Sequence, residues 1–325
     1  MPRYWMVSNR TVSKDGLGSS HGALSWWTSE GGDPKAFSSW TRVSAAQFQK
    51  ALVDATSQFP PLPEDQDHTD QQHLNLFIHG FNNDWAEAAA RYEQICSSLF
   101  DTDKPLGICV LFTWPSGGMP TDYLPDRGEA EASAPDLADL LSQLYDWMAL
   151  KQRQAAKDPA KTCRAKTSII AHSMGNFVLQ KAMQAAWTRA NRPLLMSLVN
   201  QLIMVAADVD NDLFGSGEQQ TGSDGDAIAN LCYRVTALYT GRDPVLGVSA
   251  GLKHFGKRRL GRSGLDTTLP LPDNVWGQDC SALIPPDATG IHGAYFEAPK
   301  VIQLMDEILR GVDRKVIQSR PPVAG

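Results

Sequence analysis

The chain has 325 residues, 42% of them hydrophobic and 20% charged, with 26 Gly and 20 Pro, a balance that excludes a disordered, collagenous or coiled-coil chain and is enough to bury a large core. Its 30 basic and 36 acidic residues leave a formal net charge of −6, so no overall field draws it to nucleic acid or to anionic lipid.

Met1 to Arg10 lacks the apolar stretch and small-residue cleavage site of a secretory signal. The longest apolar run, Leu202 to Ala207, falls far short of the ~20 residues that cross a bilayer. A cytoplasmic protein without a membrane span is expected. Cys96, Cys109, Cys163, Cys232 and Cys280 are scattered, with no CxxC pair, which argues against a zinc site and a disulfide framework; they read as small buried hydrophobes.

Pro60 to Asp67 is a loop that sets off residues 1–65, an expected extension with its own strands and helix, from a catalytic core over 70–312 of one domain, 1–325. Beyond it, Leu74–Ile78 reads as a strand. From Asp84, Trp85, Ala88, Ala89, Tyr92, Ile95, Cys96 and Leu99 recur at helical spacing. Ile108–Phe112 is a second strand, and Leu137, Leu140, Leu141, Leu144, Trp147 and Met148 mark a second amphipathic helix. Thr167–Ala171 (strand), Asn176–Ala190 (helix), Leu202–Val209, Val235–Tyr239 and Val275–Cys280 (strands) follow, and a closing helix carries Val301, Ile302, Met305, Ile308 and Leu309 on one face. Apolar strands alternating with helices predict an α/β fold with a mostly parallel sheet covered on both faces, and a site at the carboxyl ends of its strands. Ser116 to Ala134 and Pro244 to Asp273 are long enough to fold over that edge. The run Lys257-Arg258-Arg259 in the second reads as a solvated loop.

A nucleophilic serine on a sharp strand-to-helix turn needs small residues two before and two after it. Gly18-Ser19-Ser20-His21-Gly22 and Gly247-Val248-Ser249-Ala250-Gly251 match literally but lack the strand and the helix. Ala171-His172-Ser173-Met174-Gly175 has Ala for the first Gly, yet it follows a strand and opens a helix, which makes Ser173 the candidate. Serine requires a base and an orienting acid, in the chain order Ser, acid, His. Of the two later histidines, His254 sits among lysines, away from any carboxylate, and His292 lies in a loop before the last helix; His292 is the candidate base. Asp243, just past a strand end, is the candidate acid. Asp208 also ends a strand and stays open as an alternative, although its neighbours Asp210 and Asp212 are expected to repel it and raise its pKa. Backbone N–H donors for an oxyanion are expected from Met174 and from Phe81, where Gly80 allows close approach. His79 is expected to hold its own loop. Trp114 and Tyr123 are candidates to line a substrate pocket.

Phe77-Ile78-His79-Gly80-Phe81-Asn82-Asn83, Phe112-Thr113-Trp114-Pro115-Ser116 with Tyr123 and Asp126, and Ala171-His172-Ser173-Met174-Gly175-Asn176 together resemble a bacterial α/β-hydrolase family formerly catalogued as a domain of unknown function. The likeness continues through Ala206–Asp210 and Arg259–Gly261, over roughly residues 70 to 300. It implies serine hydrolysis, mostly esterase-like, and carries over Ser173, His292 and Asp243. The expected activity is hydrolysis of carboxylic esters of short to medium acyl chains, with a small-molecule substrate and no metal or other cofactor. An amidase or thioesterase with the same triad, and a non-catalytic scaffold of this fold, stay open as alternatives.

Overall fold

A computed structural model describes residues 2–60, 70–117, 123–158, 163–190, 197–215, 224–254 and 256–319. In chain order its elements begin with β1 (Tyr4–Ser13), β2 (Gly16–Ser29), β3 (Thr41–Val43) and α1 (Ala45–Thr56). The βα alternation follows as β4 (His73–Ile78), α2 (Trp85–Ile95), β5 (Gly107–Thr113), α3 (Tyr123–Ala155), β6 (Lys166–His172) and α4 (Gly175–Ala190). Next come β7 (Val199–Val205), α5 (Asp226–Leu231), β8 (Cys232–Tyr239), α6 (Pro244–Val248), α7 (Leu260–Ser263), β9 (Val275–Asp279), α8 (Pro299–Leu309) and α9 (Arg314–Ser319).

The strands form one sheet in the order β3-β2-β1-β5-β4-β6-β7-β8-β9. From β1 to β9 every pairing is parallel, whereas β2 and β3 are added antiparallel. β1 pairs with β5, with Trp5 opposite Val110, so the N-terminal residues belong to the same sheet as the rest. Within β5, Ile108, Val110 and Phe112 face a core built with α1, α3, α4 and α5, and Cys109 and Leu111 face a second core built with α2 and α8. Burial on both faces is why these strands are continuous apolar runs. Four cysteines are buried, and Cys163 is half-buried.

Local signals start the helices: Ser44 and Gln47 close a capping box on α1, as Asp84 and Glu87 do on α2. Three expectations need correction. The strand read to Val209 stops at Val205, because Ala206 takes a left-handed φ of 45°. Most of the segment 116–134, expected to fold over the sheet edge ahead of the second helix, is the start of α3, which runs from Tyr123; positions 118–122 lie outside the described residues. Of Lys257-Arg258-Arg259, the first two are exposed as expected, but Arg259 is 1% exposed and ion-paired with Asp208. Its segment does fold over the sheet edge, Leu260 N–H donating to Val209 O and Gly261 N–H to Ala207 O at 2.9 Å each. No helix of the described residues is long and apolar enough to cross a membrane.

His73, which opens β4, is fully buried, and burial pushes its imidazole down to about 3; His79 at the other end of β4 is also pushed to about 3, by burial and then by Arg10. The unfolded chain takes up these protons near pH 6.5 and the folded chain does not. Their contribution is therefore complete above about pH 6.5 and is lost as pH falls towards 3, by up to ~1.4 kcal/mol per histidine per pH unit. Urea midpoints are expected to fall steadily between about pH 6.5 and 4.5, and His73→Gln to lessen that fall. A flat wild-type profile over this range would contradict the assignment.

Candidate active site

β5 lies on one side of β4 and β6 on the other, so the chain reverses direction across the sheet at this point, and the carboxyl ends of β4 and β6 are where open sheets of this kind place their sites. Both ends carry unusual backbone. Ser173, between β6 and α4, has φ 52°, and Asn82, in the loop after β4, has φ 56°. Left-handed serine costs of order 1 kcal/mol and persists only where its surroundings enforce it. Here Ser173 N–H donates to Val205 O at 3.0 Å, and Ser173 O accepts from the N–H groups of Asn176 and Asp208, both at 3.1 Å. The two segments touch: a Cβ on Gly80 would stand 2.6 Å from Ser173 Cβ, and one on Gly175 would stand 2.7 Å from Ile78 O.

The loop after β4 is held from beneath. His79 is kept neutral by burial; its Nδ1 pairs with Gly80 O at 2.9 Å, and its Nε2 accepts from Trp114 N–H at 3.2 Å. Trp114 stacks on the His79 ring (5.3 Å, 5°) and donates Nε1–H to His79 O at 2.9 Å. His79 thus holds its own loop. Trp114 is fully buried, so it braces that loop and offers no surface to a pocket, contrary to expectation. Arg10, on β1, reaches the same place: its guanidinium donates to Thr113 Oγ1 (2.9 Å), Asn83 O (2.8 Å) and Ser116 O (3.3 Å). Burial lowers its pKa to about 10, which leaves it charged at neutral pH. Asn83 Nδ2 in turn donates to Phe81 O at 2.7 Å. Phe81 and the buried Met174 stand on the two facing segments.

Asp243 and His292 meet, His292 Nδ1 lying 2.7 Å from Asp243 Oδ2. Asp243 is fully buried and caps α6, its Oδ1 accepting Leu246 N–H at 3.1 Å. Sequence reasoning missed His172, although it adjoins Ser173. Its ring centre is 4.9 Å from that of His292, and its Nε2 is 3.0 Å from His292 O. Burial, and next the neighbouring His292, hold His172 well below the ordinary histidine range, so it is neutral and donates Nε2–H to that carbonyl. Arg91 donates to Gly293 O at 3.3 Å, which fixes the loop from its other side. No hydrogen bond joins Ser173 to His292 among the described residues; such bonds are often long without substrate.

Asp208 has a different environment. Its Oδ1 accepts from Arg259 Nε (2.8 Å) and Ser249 Oγ (2.9 Å), and its Oδ2 from Tyr123 OH (2.7 Å). Burial would raise its pKa, but Arg259 and the two hydroxyls outweigh it and hold the carboxyl below its usual value. The expected repulsion from Asp210 is overturned, since Asp210 itself pairs with Arg259 and Lys257. Tyr123 OH also lies 2.6 Å from His254 Nε2, and its ring meets Phe81 edge-on at 5.4 Å. Through Tyr123, His254 does have a carboxylate nearby. Ser249 is buried in this network, and Ser20 is exposed on β2.

Residues 61–269 match the sequence profile of a family described as an alpha/beta hydrolase of unknown function (DUF900). An uncharacterized protein of Nostoc sp., alr1448, is 26% identical over 252 residues, 65% of this chain and 61% of that protein; the chain thus spans under two thirds of that relative. Among solved structures, lipase B of Aspergillus fumigatus is 14% identical, covering 88% of this chain and 64% of its own, with a TM-score of 0.36. The Pyrobaculum calidifontis esterase is 11% identical, with coverages of 84% and 92% and a TM-score of 0.37. Scores this low say nothing about chemistry.

Three substitutions test the packing. Gly175→Ala is expected to destabilise by roughly 1–3 kcal/mol, because the methyl group meets backbone, while Gly241→Ala, where a Cβ meets nothing within 4 Å, changes stability by under ~0.5 kcal/mol. Asp208→Asn leaves Arg259 buried without its charge partner and is expected to cost about 3 kcal/mol. Chemical denaturation measures all three, and equal midpoints for Gly175→Ala and Gly241→Ala would refute the crowding.

Proposed function

The chain belongs to this alpha/beta-hydrolase family, and on that footing we propose that it cleaves carboxylic esters of short to medium acyl chains, with Ser173 as nucleophile, His292 as base and Asp243 as acid. The observation that carries the reading is the left-handed Ser173 at the β6–α4 turn, at the same sheet edge as the hydrogen-bonded Asp243–His292 pair.

The roles follow from the chemistry. Serine is a weak nucleophile until a base takes its proton. His292 Nδ1 is engaged by Asp243, which leaves Nε2 to remove the Ser173 proton and then to deliver it to the departing alcohol. Asp243 fixes the imidazole tautomer and stabilises the imidazolium. His172, donating to the His292 carbonyl, positions the base without touching the reacting atoms. The tetrahedral oxyanion is assigned to the N–H groups of Met174 and Phe81. Met174 immediately precedes α4, where amides lack intrahelical acceptors, and each such donor is worth about 3 kcal/mol. Water, activated by the same histidine, releases the acid from the acyl-enzyme.

Ser173→Ala is expected to abolish both turnover of a 4-nitrophenyl ester panel and labelling by a fluorophosphonate, with Ser20→Ala still labelled. Asp243→Asn should lower kcat by up to ~10⁴ with an unchanged melting temperature. A labelled Ser173→Ala protein, or a well-folded Asp208→Asn variant that is nearly dead beside an active Asp243→Asn, would overturn the assignment.

A further inference from the structure

Arg127 lies one turn beyond Tyr123 on α3, on the same helix face. Its guanidinium carbon sits 3.8 Å from the centre of the Phe177 ring, and Phe177 follows Ser173 by four residues, in the first turn of α4. The Arg127 charge is felt at Tyr123, Asp208 and His254. Asp208 N–H donates to Ser173 O, so this cation stands at the edge that holds the candidate nucleophile.

What sets Arg127 apart is that it has no hydrogen bond or ion pair among the described residues, and its Nη1 is buried without an acceptor. Leaving a charged donor unsatisfied out of water is costly, and the nearby carboxylates do not relieve it. Asp208 is taken by Arg259, Tyr123 and Ser249; Asp126 accepts from Ser116 Oγ and Gly117 N–H; Asp210 is taken by Arg259 and Lys257. A second cation reinforces the place, since Lys181 brings its ammonium within 5.5 Å of the same Phe177 ring. The stacked, planar guanidinium has donors laid out to hold a carboxylate or phosphate.

We propose that Arg127 receives an anionic group of the substrate, a carboxylate or phosphate carried on the acyl or the alcohol part, and that the protein is an esterase of acidic esters. This rests on the serine-hydrolase reading above. The anion pairs with the half-buried guanidinium and orients the ester carbonyl towards Ser173, which converts binding energy remote from the reacting bond into positioning.

The test compares two matched pairs. On the acyl side, 4-nitrophenyl hemiglutarate is set against 4-nitrophenyl 5-methylhexanoate, its neutral isostere. On the alcohol side, 1-acetylglycerol 3-phosphate is set against 1-acetylglycerol, followed by acid release. The wild-type protein is expected to favour the anionic member of at least one pair by about 10- to 100-fold in kcat/KM, and the pair that responds identifies the charged end. Arg127→Gln should bring that ratio close to one, and Arg127→Lys should restore part of it. A wild-type ratio near or below one in both pairs overturns the inference, as does a ratio that Arg127→Gln leaves unaltered; if Arg127→Gln does not fold, the wild-type ratio alone decides. Fluorophosphonate labelling of Ser173 without turnover of any of the four esters also overturns it. Neither labelling nor turnover overturns the hydrolase reading itself.

Discussion

Where β4 ends against the β6–α4 turn, two backbones run so close that neither Gly80 nor Gly175 has room for a side chain. That contact sets the geometry of everything around it. It brings the loop carrying Phe81 onto the segment carrying Ser173 and Met174, and it coincides with the reversal of strand order. The left-handed serine is a local cost that its neighbours offset, through Val205 O on one side and the amides of Asn176 and Asp208 on the other. Strand register sets these backbone pairings, and one side chain braces them: Asn176 Nδ2 donates to Ala171 O at 2.9 Å and to Ser173 O at 3.2 Å.

Two buried carboxylates at the same edge are separated in role by their partners. Asp243 pairs with a histidine and keeps its other oxygen on a helix amide, so its charge serves a group that can change protonation. Asp208 is surrounded by an arginine and two hydroxyls, all permanent donors at neutral pH. Such a carboxylate has no proton to exchange, and its effect is to tie the segment folded over the edge to the ends of β7 and α3. The difference is one of partner chemistry, since both groups are equally out of water.

The period of apolar residues was enough to locate β4 to β9 with α2, α4, α8 and the body of α3, because burial on both faces of a parallel sheet writes itself into sequence as unbroken runs; the short α5, α6 and α7 carried no such signal. The sharp turn at Ser173 was legible from its flanks, and the pairing of Asp243 with His292 from their chain order. Less legible was whatever depends on pairing across long separations. Arg10 meets Thr113 at a separation of 103 residues and Tyr123 meets Asp208 at 85, and nothing near either residue in the chain signals its partner. Arg259 looked like surface because its neighbours are basic, and only the fold shows that it is buried against Asp208. The end of β7 was misplaced for a related reason: Ala206 and Ala207 continue the apolar run, but the left-handed φ of Ala206 turns the chain out of the sheet.

The pairing of β1 with β5 sets an order on assembly that differs from the order of synthesis. β1 and β2 can form their hairpin as soon as they leave the ribosome, yet the parallel partner of β1 is about 100 residues away, several seconds or more at ~5–20 residues per second. An isolated hairpin is marginal in water, and its β1 edge is apolar, with Trp5, Met6 and Val7 all destined for full burial. Until β5 arrives, that edge is open to any other extended chain. The strand that delivers Arg10 beneath the site is thus made well before its partner and docked late, and the nascent chain passes through a stage in which this apolar edge stands uncovered.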